Sequence, residues 1–129
     1  MTEEKFHVGV KALFVNNKSQ ILVLRANRLD FNRPVEEHWD LPGGRIKEGD
    51  SIQETLRREI KEELSIDNVE IGEHFDTNLS KMKIPLKNRQ VALMLIVYSC
   101  RFLQPDAEIR LDHENSEYRW VSVDDAKNY

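Results

Sequence analysis

The stretch that decides the fold runs from Leu41 to Ile66, "LPGGRIKEGDSIQETLRREIKEELSI". Its second half carries Ile52, Leu56, Ile60 and Leu64 at four-residue spacing, which lines one face of a helix with apolar side chains. Ser51 precedes that face and Glu54 follows it by three residues, the signature of a capping box. Asp50 adds negative charge at the positive end of the helix dipole. The first half is punctuated by Pro42, Gly43, Gly44 and Gly49 and predicts a turn-rich loop leading into the helix.

On such a helix Glu59, Glu62 and Glu63 crowd onto one side, where they can converge on one point. A solvated face would explain them if local bases neutralised the charge. Glu62 has Arg58 one turn back, and Arg58 also has Glu54 one turn back, so those residues fit that account. Glu59 and Glu63 do not, because no basic residue lies three or four positions from either. Like-charge pairs at this spacing cost only about 0.2–0.5 kcal/mol, so the pattern alone does not establish a site. What these carboxylates lack is a cation, and clustered carboxylates suit Mg²⁺ or Mn²⁺, hard ions that take oxygen ligands. The two glycines before the helix let backbone approach a ligand closely. Gly44 to Gly49 has the span of a Walker phosphate loop, but Asp50-Ser51 stands where Lys-Ser/Thr should follow, so that motif fails.

Outward from this segment the pattern changes from helical to extended. "FHVGVKALFV" (residues 6–15) alternates before the turn "NNKSQ", and "ILVLRA" follows, so a hairpin is predicted. Residues 27–40 form a polar stretch long enough to be a functional loop. "VEIGEHFDTNL" and "QVALMLIVYSCRF" read as strands, the second buried because it is continuously apolar. A basic connection, "SKMKIPLKNR", separates them. The acidic loop "PDAEIRLDHENSE", the short strand "YRWVSV" and the start of a helix, "DDAKNY", complete the chain. Residues 1–129 are thus expected to form one α+β domain with a mixed sheet, its last helix cut short.

Composition narrows the class. The 129 residues, 40% of them apolar, are enough for one core without disulfides. The single cysteine, Cys100, lies in an apolar run and reads as a small buried hydrophobe, which fits a reducing cytoplasm. The longest apolar run, Val91 to Tyr98, is far below the roughly 20 residues needed to span a bilayer. A net charge of −4, with acids and bases interspersed, excludes the basic footprint of a general nucleic-acid binder. A soluble, cytoplasmic protein is expected, and the sequence leaves a homodimer open.

Loop and helix together resemble the signature of the Nudix hydrolases: Gly, five residues, Glu, seven residues, Arg-Glu, an aliphatic, any residue, Glu-Glu, any residue, Gly, an aliphatic. Here that register runs from Gly44 through Asp50 and "REIKEELSI" to Ile66, and seven of nine fixed positions match. Asp50 replaces the usual Glu, and Ser65 replaces the usual Gly, which makes a left-handed helix cap less favourable. "WDLPGG" and "YRWVSVDD" extend the likeness over nearly the whole chain. The resemblance implies an α/β/α sandwich around a mixed β-sheet and hydrolysis of a diphosphate bond in a nucleoside diphosphate linked to another moiety, with Mg²⁺ or Mn²⁺. By carry-over Glu59, Glu62 and Glu63 would hold the metal, Gly43 would supply a carbonyl ligand, and Arg58 would orient the carboxylates by pairing with Asp50 or Glu59. The base that takes the proton of the attacking water varies in the family. It lies either in the helix or in a later loop, where Glu114, six residues before Trp120, is the first candidate and Glu117 the second. His113 adjoins them.

Substrate contacts follow from chemistry rather than from a motif. Guanidinium groups match phosphate oxygens bidentately, which nominates Arg28, Arg33 and Arg45, with Arg25 and Arg89 behind them. Phe31 is the aromatic nominated to stack a base, with Trp39 and Phe75 as alternatives, and Trp120 reads as structural. Two rival functions belong to other classes: a non-catalytic nucleotide-binding Nudix module, and isomerase chemistry on a prenyl diphosphate, for which a buried Cys100 is a poor thiol.

Overall fold

The structure, a computed structural model, describes residues 2–26, 39–80, 84–86, 89–104, 106–127 and 129. Two sheets and one long helix share a core. The first sheet is mixed: β1 (Phe6–Phe14) lies between β4 (Gly43–Arg45), antiparallel, and β7 (Arg89–Phe102), parallel. On the outer side of β7 lie β5 (Val69–Leu79) and β6 (Ile84–Leu86), both antiparallel to it. In the second sheet β2 (Gln20–Ala26) lies between β3 (Trp39–Asp40) and β8 (Asn115–Ser122). A single helical turn, α2 (Val123–Ala126), follows β8.

The helix α1 (Ile52–Leu64) forms where its periodicity and caps predict. Ser51 Oγ accepts the Glu54 N–H at 3.1 Å. The fully buried Thr55 hydroxyl donates to the Ser51 carbonyl at 2.8 Å, so its burial leaves no polar group unsatisfied. Leu56, Ile60 and Leu64 are fully buried with Val10, Ala12 and Phe14 of β1 and Leu22 and Leu24 of β2. Each of these side chains larger than alanine contributes about 1.5–3 kcal/mol relative to exposure.

Two expectations need correction. The predicted β1–β2 hairpin is only a turn: Val15 and Ile21 form an isolated bridge, and Asn16 Oδ1 accepts the N–H groups of Lys18 and Gln20. Beyond it the strands part into different sheets, because apolar residues of both turn into one core, and facing sheets bury them where side-by-side pairing would not. The apolar run of β7 is also less buried than predicted. Val91, Val97 and Cys100 are buried, but Ala92 to Ile96 are only half-buried on both faces of the strand, so pairing along both edges does not by itself cover the faces of this run. Trp120 is structural as read: it meets Phe102 edge-on, and Phe102 stacks on Phe14 at 4.3 Å.

Helix α1 ends on Ser65 in the left-handed region, φ 61°. The residue carries a Cβ where glycine is favoured, and its hydroxyl recovers part of that cost by donating to the Arg110 carbonyl at 3.0 Å. Because Ser65 is exposed, water can replace that bond, so relief of backbone strain should win. Ser65→Gly is expected to raise the unfolding free energy by about 0.5–1 kcal/mol in urea melts. A loss of stability would mean that the hydroxyl anchor outweighs the strain.

Candidate functional site

The site is where α1 crosses the glycine pair. In the β1–β4 ladder Gly43 faces Lys11 and Gly44 faces Val10. Glu63 and Glu59, one helical turn apart, lie over these two glycines in order. The Gly43 N–H donates to Glu63 Oε1 at 2.8 Å. A Cβ on Gly44 would fall 2.4 Å from Glu59 Cδ, so only glycine leaves room for that carboxylate. Glu63 is 8% exposed. Burial pushes its carboxyl up to about 8, against the pull of the Gly43 N–H and the Lys11 charge. Glu59 is raised too, by burial first and by Glu62 next, with Arg58 opposing.

Arg58 is held by an ion pair with Asp50, and its other terminal nitrogen lies 3.8 Å from Glu59 Oε1. The shorter acid at position 50 thus still reaches the arginine. Arg58 Nε and Nη2 are buried with no hydrogen-bond partner, an orphaned donor surface beside Glu59. Glu62, by contrast, is exposed on the helix. Among the described residues no three Asp, Glu, His or Cys side chains form a ready-made metal cluster. Glu59 and Glu63 stack over β4, while Glu62, near enough for its charge to act on Glu59, faces solvent.

A divalent cation fits this donor set. Two carboxylates share one face, both are raised by burial, and the charges opposing that rise are those of lysine and arginine side chains.

The remaining candidates are more scattered. Glu114 is exposed, in the turn before β8, near enough for its charge to act on Glu59. Glu117 is engaged by Arg119 at 2.8 Å and Arg25 at 3.8 Å across the β2–β8 ladder. His113 is exposed. Arg45 is exposed on β4 with Nη1 3.4 Å from His7 Nδ1, and Arg89 is exposed at the start of β7. Arg28, Phe31 and Arg33 lie outside the described residues. Phe75 is 64% exposed, whereas Trp39 has the Arg119 guanidinium 4.6 Å from its ring centroid and Tyr129 edge-on. Cys100 is buried and its thiol is pushed up to about 11 by burial, which suits a packing role and not a nucleophile.

Two residues at the site, Lys11 and Asn115, escaped the sequence reading. Lys11 pairs with Asp40 at 2.9 Å and donates to the Leu41 carbonyl, anchoring the chain ahead of the glycines. A lone lysine inside the apolar strand β1 was the available signal. Asn115 donates to Glu63 Oε2 at 3.3 Å across 52 residues, and nothing in its local sequence marks it.

A mixed sheet sealed by a helix that sets two glutamates over a glycine pair is the α+β sandwich of the Nudix type. Residues 5–129 match the family model described as the NUDIX domain, and the chain belongs to the Nudix hydrolase family. A nucleoside triphosphatase NudI of Escherichia coli O139:H28 is 26% identical over 95 residues, covering 70% of this chain. The match spans 66% of that relative's length. The crystal structure of a MutT protein from Methanosarcina mazei Go1 superposes with a TM-score of 0.76 at 27% identity, covering 100% of this chain and 86% of that one. A Nudix hydrolase from Nitrosomonas europaea, 18% identical with a TM-score of 0.69 over 96% of this chain and 77% of its own, shares the fold. Among the described residues no helix is long and apolar enough to cross a membrane.

Proposed function

We propose that the chain hydrolyses a diphosphate bond in a nucleoside diphosphate linked to another moiety, with Mg²⁺ or Mn²⁺, and that nucleoside triphosphates are the first substrates to test. Nucleotide sugars and dinucleoside polyphosphates follow. The observation that carries this reading is Glu63, a buried carboxylate beside Glu59 and hydrogen-bonded by the glycine turn. The similarity to a nucleoside triphosphatase ranks the substrates.

In this reading Glu63 and Glu59 hold the cation. Arg58, itself gripped by Asp50, keeps Glu59 turned toward Gly44. The bound cation supplies charge neutralisation on the diphosphate and a more acidic water. Water attacks one phosphorus, the bridging P–O bond breaks with its electrons on the leaving phosphate, and a carboxylate takes the water's proton. Glu114 is the proposed acceptor: it is exposed, it faces Glu59 electrostatically, and unlike Glu117 it is not drawn into the Arg25 and Arg119 pairs. Incubation with a panel of nucleoside triphosphates, nucleotide sugars and dinucleoside polyphosphates, with Mg²⁺ and then Mn²⁺, tests the proposal by release of phosphate products. Micromolar binding without turnover across the panel would assign the chain to the nucleotide-binding modules instead.

A further inference from the structure

Asn115 opens β8 at a fault in the sheet. Arg25 opposes Glu117 and Ala26 opposes Asn115, so Ser116 is the extra residue of a bulge. Bulges re-aim the side chains beside them. Here the Asn115 amide reaches two carboxylates, Glu63 Oε2 at 3.3 Å and Asp112 Oδ1 at 3.2 Å. In both contacts the amide nitrogen is the donor, and its two hydrogens suffice for one bond each. Glu63 is then gripped from opposite sides: the Gly43 N–H of the first sheet holds Oε1, and Asn115 of the second sheet holds Oε2. Asp112 and Asn115 also close the turn that carries Glu114.

We infer that Asn115 is a positioning residue: its amide clamps Glu63 between the two sheets and sets the Glu114 turn against α1. The inference rests on the proposed cation site at Glu59 and Glu63, and it concerns the orientation of a ligand and not direct contact with substrate. A ligand carboxylate hydrogen-bonded on one oxygen only can rotate, and loss of such a supporting partner typically costs about 10–100-fold in metal affinity or activity. Asn115→Ala is therefore expected to weaken Mn²⁺ binding, read by electron paramagnetic resonance without nucleotide, about 10–100-fold, and to lower kcat similarly while KM stays within about threefold. Asn115→Asp, which sets a third carboxylate against two, should lose more than Asn115→Ala. Thermal melts confirm folding. If Asn115→Ala does not fold, Asp112→Ala removes the second acceptor that fixes the Asn115 amide and should weaken Mn²⁺ binding by a smaller factor.

The outcomes separate. A folded Asn115→Ala with Mn²⁺ affinity and kcat within twofold of the parent overturns the clamp and leaves the hydrolase reading intact. A parent that binds Mn²⁺ and hydrolyses nothing removes the hydrolase reading, while weakened Mn²⁺ binding in Asn115→Ala still supports the clamp. A parent that binds no Mn²⁺ overturns both.

Discussion

Glu63→Gln is expected to lower turnover at least about a hundredfold while making the metal-free protein more stable at alkaline pH. The first half follows from removing a proposed cation ligand, whose supporting partners alone are worth about 10–100-fold. The second follows from burial. The Glu63 carboxyl lies at about 8 in the folded chain, above its ordinary value of 4.5, so the folded state holds a proton that the unfolded state releases. A raised acid of this kind stabilises fully below pH 4.5, and that contribution falls as pH rises toward 8. Without metal the parent should lose about 2 kcal/mol of stability between pH 5 and pH 8, after allowance for relaxation around the buried group. Gln cannot ionise, but its amide presents a donor to either Gly43 N–H or Asn115 NH₂ and forfeits one hydrogen bond, about 1 kcal/mol. The two effects oppose each other. Glu63→Gln should melt below the parent near pH 5 and above it near pH 9, in buffer containing a chelator. Parallel melting curves across that range would mean that Glu63 is not held protonated, and an undiminished rate would remove it from the cation site.

The second large effect divides the two adjacent glycines. Gly43 has φ 148°, and a Cβ there would lie 2.0 Å from the Val10 carbonyl oxygen and 2.9 Å from Lys11 Cα. The β1 backbone cannot step aside without breaking the β1–β4 pairing. Gly43→Ala is expected to cost about 3 kcal/mol or more and to shift the urea midpoint accordingly. Gly44→Ala meets something else, the carboxylate end of Glu59, which can swing away. It should therefore cost under about 1 kcal/mol in stability yet weaken Mn²⁺ binding by roughly tenfold or more, because Glu59 is displaced from the glycine turn. Equal destabilisation by both substitutions would contradict this division.

Helix α1, its cap on Ser51 and the absence of local partners for Glu59 and Glu63 were legible because they depend on residues within a turn or two of one another. The family resemblance was legible for the same reason, since its spacing lies within one loop and one helix. What could not be read was contact between distant parts of the chain. β1 and β2 adjoin in sequence and show similar apolar patterns, yet they enter different sheets, a choice made by the parallel pairing of β1 with β7. Trp39 and Phe75 likewise look equivalent as aromatics, and only packing leaves Phe75 exposed while Arg119 and Tyr129 cover Trp39.

The site divides along the same line. By itself the sequence determined that a capped amphipathic helix follows a glycine turn and carries acids that local bases do not neutralise, because helix period and capping are local physics. Tertiary structure decided which of those acids are buried. Glu63 is buried because β4 and β8 close over it, Glu62 is exposed to solvent on α1, and Lys11 and Asn115 reach the site from 20 or more residues away in sequence only once the sheets have formed. The reason is desolvation: a carboxylate's proton affinity and its use as a ligand depend on what excludes water from it, and that is a property of the packed elements and not of its neighbours in the chain.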